Sequence, residues 1–482
     1  MQNVINATLN NKGNYKMKLK KILASTLVIG FMCFDLMPVF AIENSNSKQT
    51  TVKLTKKQKK VKQQKEAKID YINLEWWEGF NDSYLNEYII KAVENNYDLK
   101  IATLKVEEAR QSAKAQMASE LPSVYVGASP AITKMPGARN TEGNFSIPMI
   151  ASYEIDIFLK NHDKTKSIKK LYEASKLSEK AAYISIASAV GSTYYNIVKA
   201  DKLIEIQTQI VSDRKNIFEL MKMRNEQGIT STSDLVQAEK GYILAETDLK
   251  ELERVRENML TTLSVLIGDS PENINDYKRI SYDELKTKKD IPNEIPTEVI
   301  TNRPDYQIAE KMVEKAGIDV RVAKKEFLPS FNIGGLINMM VTSSVSKMSW
   351  ETALAGAGVA GILPVFTGGR RIANLKIQKN RSEQALQEYY KTNITSIKEI
   401  NDSLSDLKLN TQKYEKDMEA LSKEKTDYKF ANDKYEQGVI SKLDLMQKNE
   451  VLLNTQKLAV SEDINTYINQ ISLYKATAAA KL

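Results

Sequence analysis

Cys33 and His162 are the only cysteine and the only histidine in this chain. Cys33 falls in the extreme N-terminal segment, so thiol catalysis, disulfides and cysteine zinc sites are excluded for the body that follows. One histidine excludes a histidine-based triad or a multi-histidine metal site, and beside Asp163 it reads as a solvated surface residue. The carboxylates lie on helix-forming stretches at helical spacing, without a cluster of mixed donors. GGRR at Gly368–Arg371 is a strand-to-helix turn and not a phosphate loop. The expectation is a protein that is not an enzyme and uses no cofactor. Chemical interest concentrates instead in two short turns, EQGITSTSD at Glu226–Asp234 and EQGVISKLD at Glu436–Asp444. Gly228 and Gly438 each supply a backbone position with positive φ and no side chain, so a partner can approach closely. Ile229 and Val439 beside them offer exposed apolar contacts. Asp234 and Asp444 sit about one and a half helical turns past each glycine. There an acid also has the ordinary role of complementing a helix N-terminus.

The elements that must position these turns follow from where proline is missing. No proline occurs between Pro148 and Pro271, nor after Pro364, and both stretches are rich in Lys, Glu, Leu, Ala and Gln. A glycine followed by Ser or Thr ends one helix and caps the next. The spacing predicts two helical hairpins, with helices over 162–226 and 231–267, then 370–436 and 441–480. The first helix of each pair would be about 97 Å long at 1.5 Å per residue, too long for a compact globule.

The halves of the chain are copies of one another. Asn95–Gly127 aligns without gaps to Asn302–Gly334 with 11 of 33 positions identical, and the twelve residues from Glu226 and from Glu436 share seven. Between the helices of each half the period changes to two. Phe145, Ile147, Met149, Ala151, Tyr153, Ile155 and Ile157 alternate with a mostly polar set, and Phe331 to Val341 do the same. Residues 123–132 and 349–366 read as their partner strands. Each half is therefore expected to run helix, strand, strand, long helix, helix. Strands of ten or more residues with one apolar face are long enough to cross a bilayer within a barrel. Four of them cannot close, and open edges are forbidden in lipid, so membrane strands here demand oligomerisation. A soluble sheet within an elongated coiled-coil protein is the reading left on the other side.

The formal charge of +8 suggests nucleic acid until it is placed along the chain. Residues 1–43 contribute +3 and residues 44–70 contribute +7, leaving the rest near −2. No nucleic-acid partner is expected. Lys18, Lys20 and Lys21 precede an apolar run, Ile22–Phe34, and Val39-Phe40-Ala41 follows, the pattern of a secretory signal cleaved after Ala41. Met17 begins this signal more naturally than Met1. The expected organisation is a signal peptide over 1–41, a Lys- and Gln-rich linker over 42–70, a first repeat over 71–270, a connecting segment over 271–300 and a second repeat over 301–482.

The residues resemble the TolC-like outer-membrane efflux proteins, in particular the branch that serves resistance-nodulation-division pumps. The resemblance is carried by LEWWEGFNDSYLNEYIIKAVENNYDLK at Leu74–Lys100, NRPDYQIAEKMVEKAGIDVRVAKKEFLPSF at Asn302–Phe331, LPVFTGGR at Leu363–Arg370 and the twin glycine turns. It implies a fold that is mainly α with a transmembrane β portion, three copies building one β-barrel and one α-helical tunnel from the outer membrane into the periplasm. It implies a passive efflux conduit, linked to multidrug resistance, whose partners are a periplasmic adaptor protein, an inner-membrane pump and outer-membrane lipid. The glycine turns become periplasmic tips that dock the adaptor. Asp234 and Asp444 become lumen-facing acids, Gln447 stands where the family has a second acid ring, and Tyr435 matches a tyrosine that bonds to the equivalent of Asp234. Two departures stand out. The branch is usually lipidated at an N-terminal cysteine, but Phe31 and Met32 stand where processing at Cys33 would need small residues, so the mature chain is expected to lack it. YEIDIFLKNHDK at Tyr153–Lys164 lacks the usual Gly-Arg after the aromatic residue. Two other readings stay open, an exit duct for type I protein secretion and a periplasmic coiled-coil scaffold without transport.

Overall fold

In the computed structural model, the described residues are 68–133, 142–285, 292, 294–342 and 353–480. The signal, its cleavage residue Ala41 and nearly all of the linker lie outside them. Among the described residues the helices are α1 (Leu74–Glu78), α2 (Ser83–Asn95), α3 (Tyr97–Ala118), α4 (Lys160–Glu226), α5 (Thr232–Ile267), α6 (Glu298–Thr301), α7 (Pro304–Lys325), α8 (Arg370–Glu436) and α9 (Lys442–Ala476). The strands are β1 (Ser123–Val126), β2 (Ser129–Thr133), β3 (Glu142–Ile155), β4 (Ser330–Thr342) and β5 (Ala353–Ile362). The order helix, strand, strand, long helix, helix thus recurs in both halves.

The long helices α4 and α8 have 67 residues each, about 100 Å at 1.5 Å per residue. Each begins where a strand ends and stops at a glycine turn, so the sheet and the turns lie at opposite ends of each helix. Ser231 caps α5 and Ser441 caps α9, each hydroxyl accepting from the N–H of the aspartate three residues on. α9 ends at Ala476, short of 480, and β5 ends at Ile362, short of 366. Pro364 lies just past that strand end and has no N–H to donate to a ladder.

All strand pairs are antiparallel, in the order β1/β2, β3, β4, β5. β1 and β2 share one register on β3 and are a single strand interrupted opposite Pro148. Gly127 N–H still donates to the Pro148 carbonyl at 2.9 Å, but Pro148 returns no N–H, and the ladder opens there. Register places Phe145, Ile147, Met149, Ala151, Tyr153 and Ile155 on one face with Val341, Met339, Ile337, Gly335, Ile333 and Phe331. That face continues as Ala353, Ala355, Ala357, Val359 and Gly361 on β5. It carries no charged residue and no side-chain amide.

The junction that lacks Gly-Arg solves its turn with two other residues. Leu159 takes the left-handed conformation, φ 57°, that Gly369 takes in the second half at φ 79°. Asp156 replaces the missing cap, accepting from Lys160 N–H at 2.7 Å and His162 N–H at 2.8 Å. Holding a leucine there costs about 1–2 kcal/mol.

The main core lies near the middle of α4, where α1 packs against α4 and α9 and α2 packs against α4 and α5. Trp77 is fully buried, with Phe80, Leu85, Ile89, Tyr194, Tyr195, Tyr467 and Tyr474 around it. Gly191 makes room for that indole: a Cβ there would stand 2.5 Å from the Trp77 ring. The LEWWEGF segment is thus a staple between the two hairpins.

Candidate functional site: the paired hairpin tips

The two glycine turns have the same backbone geometry. Gly228 and Gly438 have φ 72° and 74°. Ile229 N–H donates to the Arg224 carbonyl at 2.8 Å, and Val439 N–H to the Lys434 carbonyl at 2.8 Å, closing the ends of α4 and α8. A Cβ added at either glycine would meet nothing within 4 Å, so both turns are open to solvent. Ile229 and Val439 are 61% and 67% exposed, apolar side chains largely open to solvent.

The acids one turn inward are held by their caps. Ser231 Oγ donates to Asp234 at 2.8 Å. Asp444 accepts from Ser441 Oγ at 2.7 Å and from Ser441 N–H at 3.0 Å. The Ser441 hydroxyl and then its backbone N–H hold the Asp444 carboxyl below the usual range, so it stays ionised through mildly acidic pH. Gln447 is exposed on the next turn of α9. Tyr435 sits in the last turn of α8, 37% exposed. Within one chain the Asp234 carboxylate is engaged by Ser231, and no hydrogen bond joins it to Tyr435 among the described residues.

What joins the two hairpins is a set of contacts that sequence reasoning missed. Arg214 on α4 donates to Glu450 on α9 at 2.6 Å, and Asn449 donates to Asp213 at 2.6 Å. Closer to the turns, Ile217, Ala238 and Met446 are buried together with Phe218, Met221 and Leu443 around them. The available signal was antiparallel geometry, since Arg214 and Glu450 lie nearly equidistant from their turns. Both turns therefore lie at the same end of the packed hairpins.

Two hairpins of this length, hung from a sheet with one uniformly apolar face, give this chain the architecture of an envelope channel protein. The chain belongs to the outer membrane efflux protein family, whose sequence profile matches residues 89–269 and 295–479. It is 22% identical over 417 residues to the toluene efflux pump outer membrane protein TtgC of Pseudomonas putida, covering 83% of this chain and 84% of the relative. It is 24% identical over 423 residues to the cation efflux system protein CusC of Escherichia coli O157:H7, covering 85% and 89%. The outer membrane channel CmeC of Campylobacter jejuni superposes with a TM-score of 0.78 at 24% identity, covering 84% of this chain and 88% of that one. The open state of MtrE from Neisseria gonorrhoeae gives 0.73 at 22%, covering 82% and 89%. As a member of this family the chain is an outer-membrane efflux channel protein with a TolC-like fold.

Proposed function

We propose that three copies of this chain form the exit conduit of a tripartite efflux system, gated at the hairpin tips and docked there by a periplasmic adaptor that links it to an inner-membrane pump. The open sheet carries this reading. Its outer strands, β1/β2 and β5, have no partner on their far sides among the described residues, while one face is apolar throughout. Unpaired edges in hydrocarbon cost several kcal/mol per backbone group, and pairing β5 of one copy with β1/β2 of the next removes them. Twelve strands would then close around one pore. The names of the relatives, which speak of toluene and of cations, favour small solutes over a secreted protein. The mature chain, beginning after Ala41, is expected to fractionate with the outer membrane, to run as a trimer in native mass measurement and to conduct in planar bilayers. A soluble monomer without conductance would sink the proposal.

The tips divide into two roles. Gly228, Ile229, Gly438 and Val439 form the docking surface, where bare backbone lets the adaptor approach and the two aliphatic side chains lose water against it. Tyr435 and Asp234 form a latch across neighbouring hairpins that holds the resting state closed; Asp234 is already oriented by Ser231. A phenol–carboxylate bond contributes about 1.5–3 kcal/mol when shielded. Tyr435→Phe and Asp234→Ala should each raise open probability, and the double variant should add little to either. Simple additivity would reject the latch. Asp444 is the other charge of the tip, and a threefold axis would set it in a ring that concentrates cations, with Gln447 leaving the next ring neutral. Asp444→Asn should weaken cation preference with little effect on opening, and unchanged reversal potentials would remove the ring.

A further inference from the structure

The second face of the sheet differs from the first. Register aligns Ser123, Ser152 and Gly334 on one rung, and Pro148 with Asn338 on another. Its charged residues among the described strand residues are Glu142, at the far end of β3, and Glu154, at the end nearest the helices, where Lys160 Nζ lies 2.7 Å from the Glu154 carboxylate. The pair cancels itself. Between the polar rungs runs one apolar rung, Tyr125 paired to Ile150 and Ile150 to Leu336, with Gly356 opposite Leu336. Leu354 stands one rung away on β5. All four large side chains are exposed, between 43% for Leu336 and 68% for Leu354.

A barrel turns its uniformly apolar face to lipid and its mixed face to the lumen. On the channel reading, then, the Tyr125–Ile150–Leu336 rung and Leu354 line the pore, in a stretch of wall between Glu142 and Glu154 whose described strand residues carry no charge. We infer that this rung is a transient binding site for uncharged cargo bearing an apolar ring, so that this stretch of the barrel wall selects for apolarity and not for charge. At the rung itself no charged side chain is present to hold or repel ions. The apolar side chains stay in contact with water until a solute covers them, and covering them is favourable in proportion to area. Repeated three times around the pore, the rung offers a passing ring several equivalent contacts, each weak enough to release it outward.

The test is single-channel recording of the full mature chain, with phenyl β-D-glucoside or methyl β-D-glucoside added on the barrel side. Both are neutral and water-soluble, and they differ by the ring. The phenyl compound is expected to block at a concentration at least about tenfold lower, the factor that about 60 Å² of apolar contact supplies. Leu336→Ser and, separately, Leu354→Ser should weaken the phenyl block several-fold, while Val359→Ala on the opposite face should leave it unchanged. Equal block by the two glucosides, or block that survives both serine substitutions, overturns the inference while leaving the channel intact. Absence of any current would overturn the channel reading itself, and this inference with it.

Discussion

Asp82→Ala is expected to cost about 3 kcal/mol of stability, although Asp82 lies far from both the tips and the sheet. Its carboxylate is almost fully buried and serves three elements at once. Oδ1 accepts from the N–H groups of Tyr84 and Leu85 at 3.0 and 3.1 Å, capping α2. Oδ2 accepts from the Tyr194 hydroxyl on α4 at 2.6 Å. That hydroxyl in turn accepts from Ile280 N–H at 3.0 Å, which ties down the segment after α5. Loss of the cap removes about 1 kcal/mol. The Tyr194 hydroxyl, left buried without an acceptor, costs about 1–3 kcal/mol more. Burial first, and then the Asp82 charge, push the Tyr194 phenol far above its ordinary range, so it remains a protonated donor at every working pH. Asp82→Asn keeps an acceptor for the cap and should lose less. Guanidinium unfolding in detergent, followed by tryptophan fluorescence from the Trp76–Trp77 pair, reads the effect directly. A loss under about 1 kcal/mol for the alanine variant would show that the network does not hold α2 on α4.

Arg303→Met is the second change with a large expected effect, about 2–3 kcal/mol. The guanidinium is buried and donates to the Ala476 carbonyl at the end of α9 at 2.6 Å. It also donates to Asp305 at 3.0 and 2.6 Å and to Glu399 on α8 at 2.6 Å. Removing it strands a carbonyl at a helix C-terminus and separates α7, α8 and α9. The carboxylate side chains are 45% and 51% exposed, which places the cost toward the lower end of the range for breaking a buried ion pair. Burial acts to raise the Asp305 pKa, but the hydrogen bond and charge of Arg303 outweigh it and hold the carboxyl below its ordinary value. A depressed folded pKa contributes stability that is present above the unfolded value, about 3.9, and is lost as pH falls through the folded one. The gap between wild type and Arg303→Met should therefore be largest near neutral pH and shrink below about pH 4. Denaturant midpoints measured at pH 7 and pH 3.5 check it. A gap that stays constant would mean that the carbonyl contact alone carries the effect.

Proline spacing, glycine turns and apolar period are local, and each acts within a few residues. That is why the four long helices, the four strands and the twin tips were legible in the sequence to within a few residues. The same holds for Asp234 and Asp444 as acids just inside helix N-termini, since a serine three residues earlier announces a cap. The interruption opposite Pro148 was not legible. Pro148 keeps the period of two, and its missing N–H matters only once register sets it against Gly127. Leu159 in a left-handed turn was also hidden, because nothing marks a leucine for that conformation except the demand of a strand that must turn into a helix. The motifs at Leu74–Lys100 and Asn302–Phe331 stood out without disclosing their work. Trp77 needs Gly191, Asp82 needs Tyr194, and Arg303 needs Ala476, partners more than a hundred residues away. Local periodicity cannot encode such pairs, because the distance between two side chains on different helices depends on how those helices pack. Packing likewise brings Arg214 to Glu450 and holds the two glycine turns at one end. The tip residues belong to the sequence, but their presentation as a pair belongs to the tertiary structure.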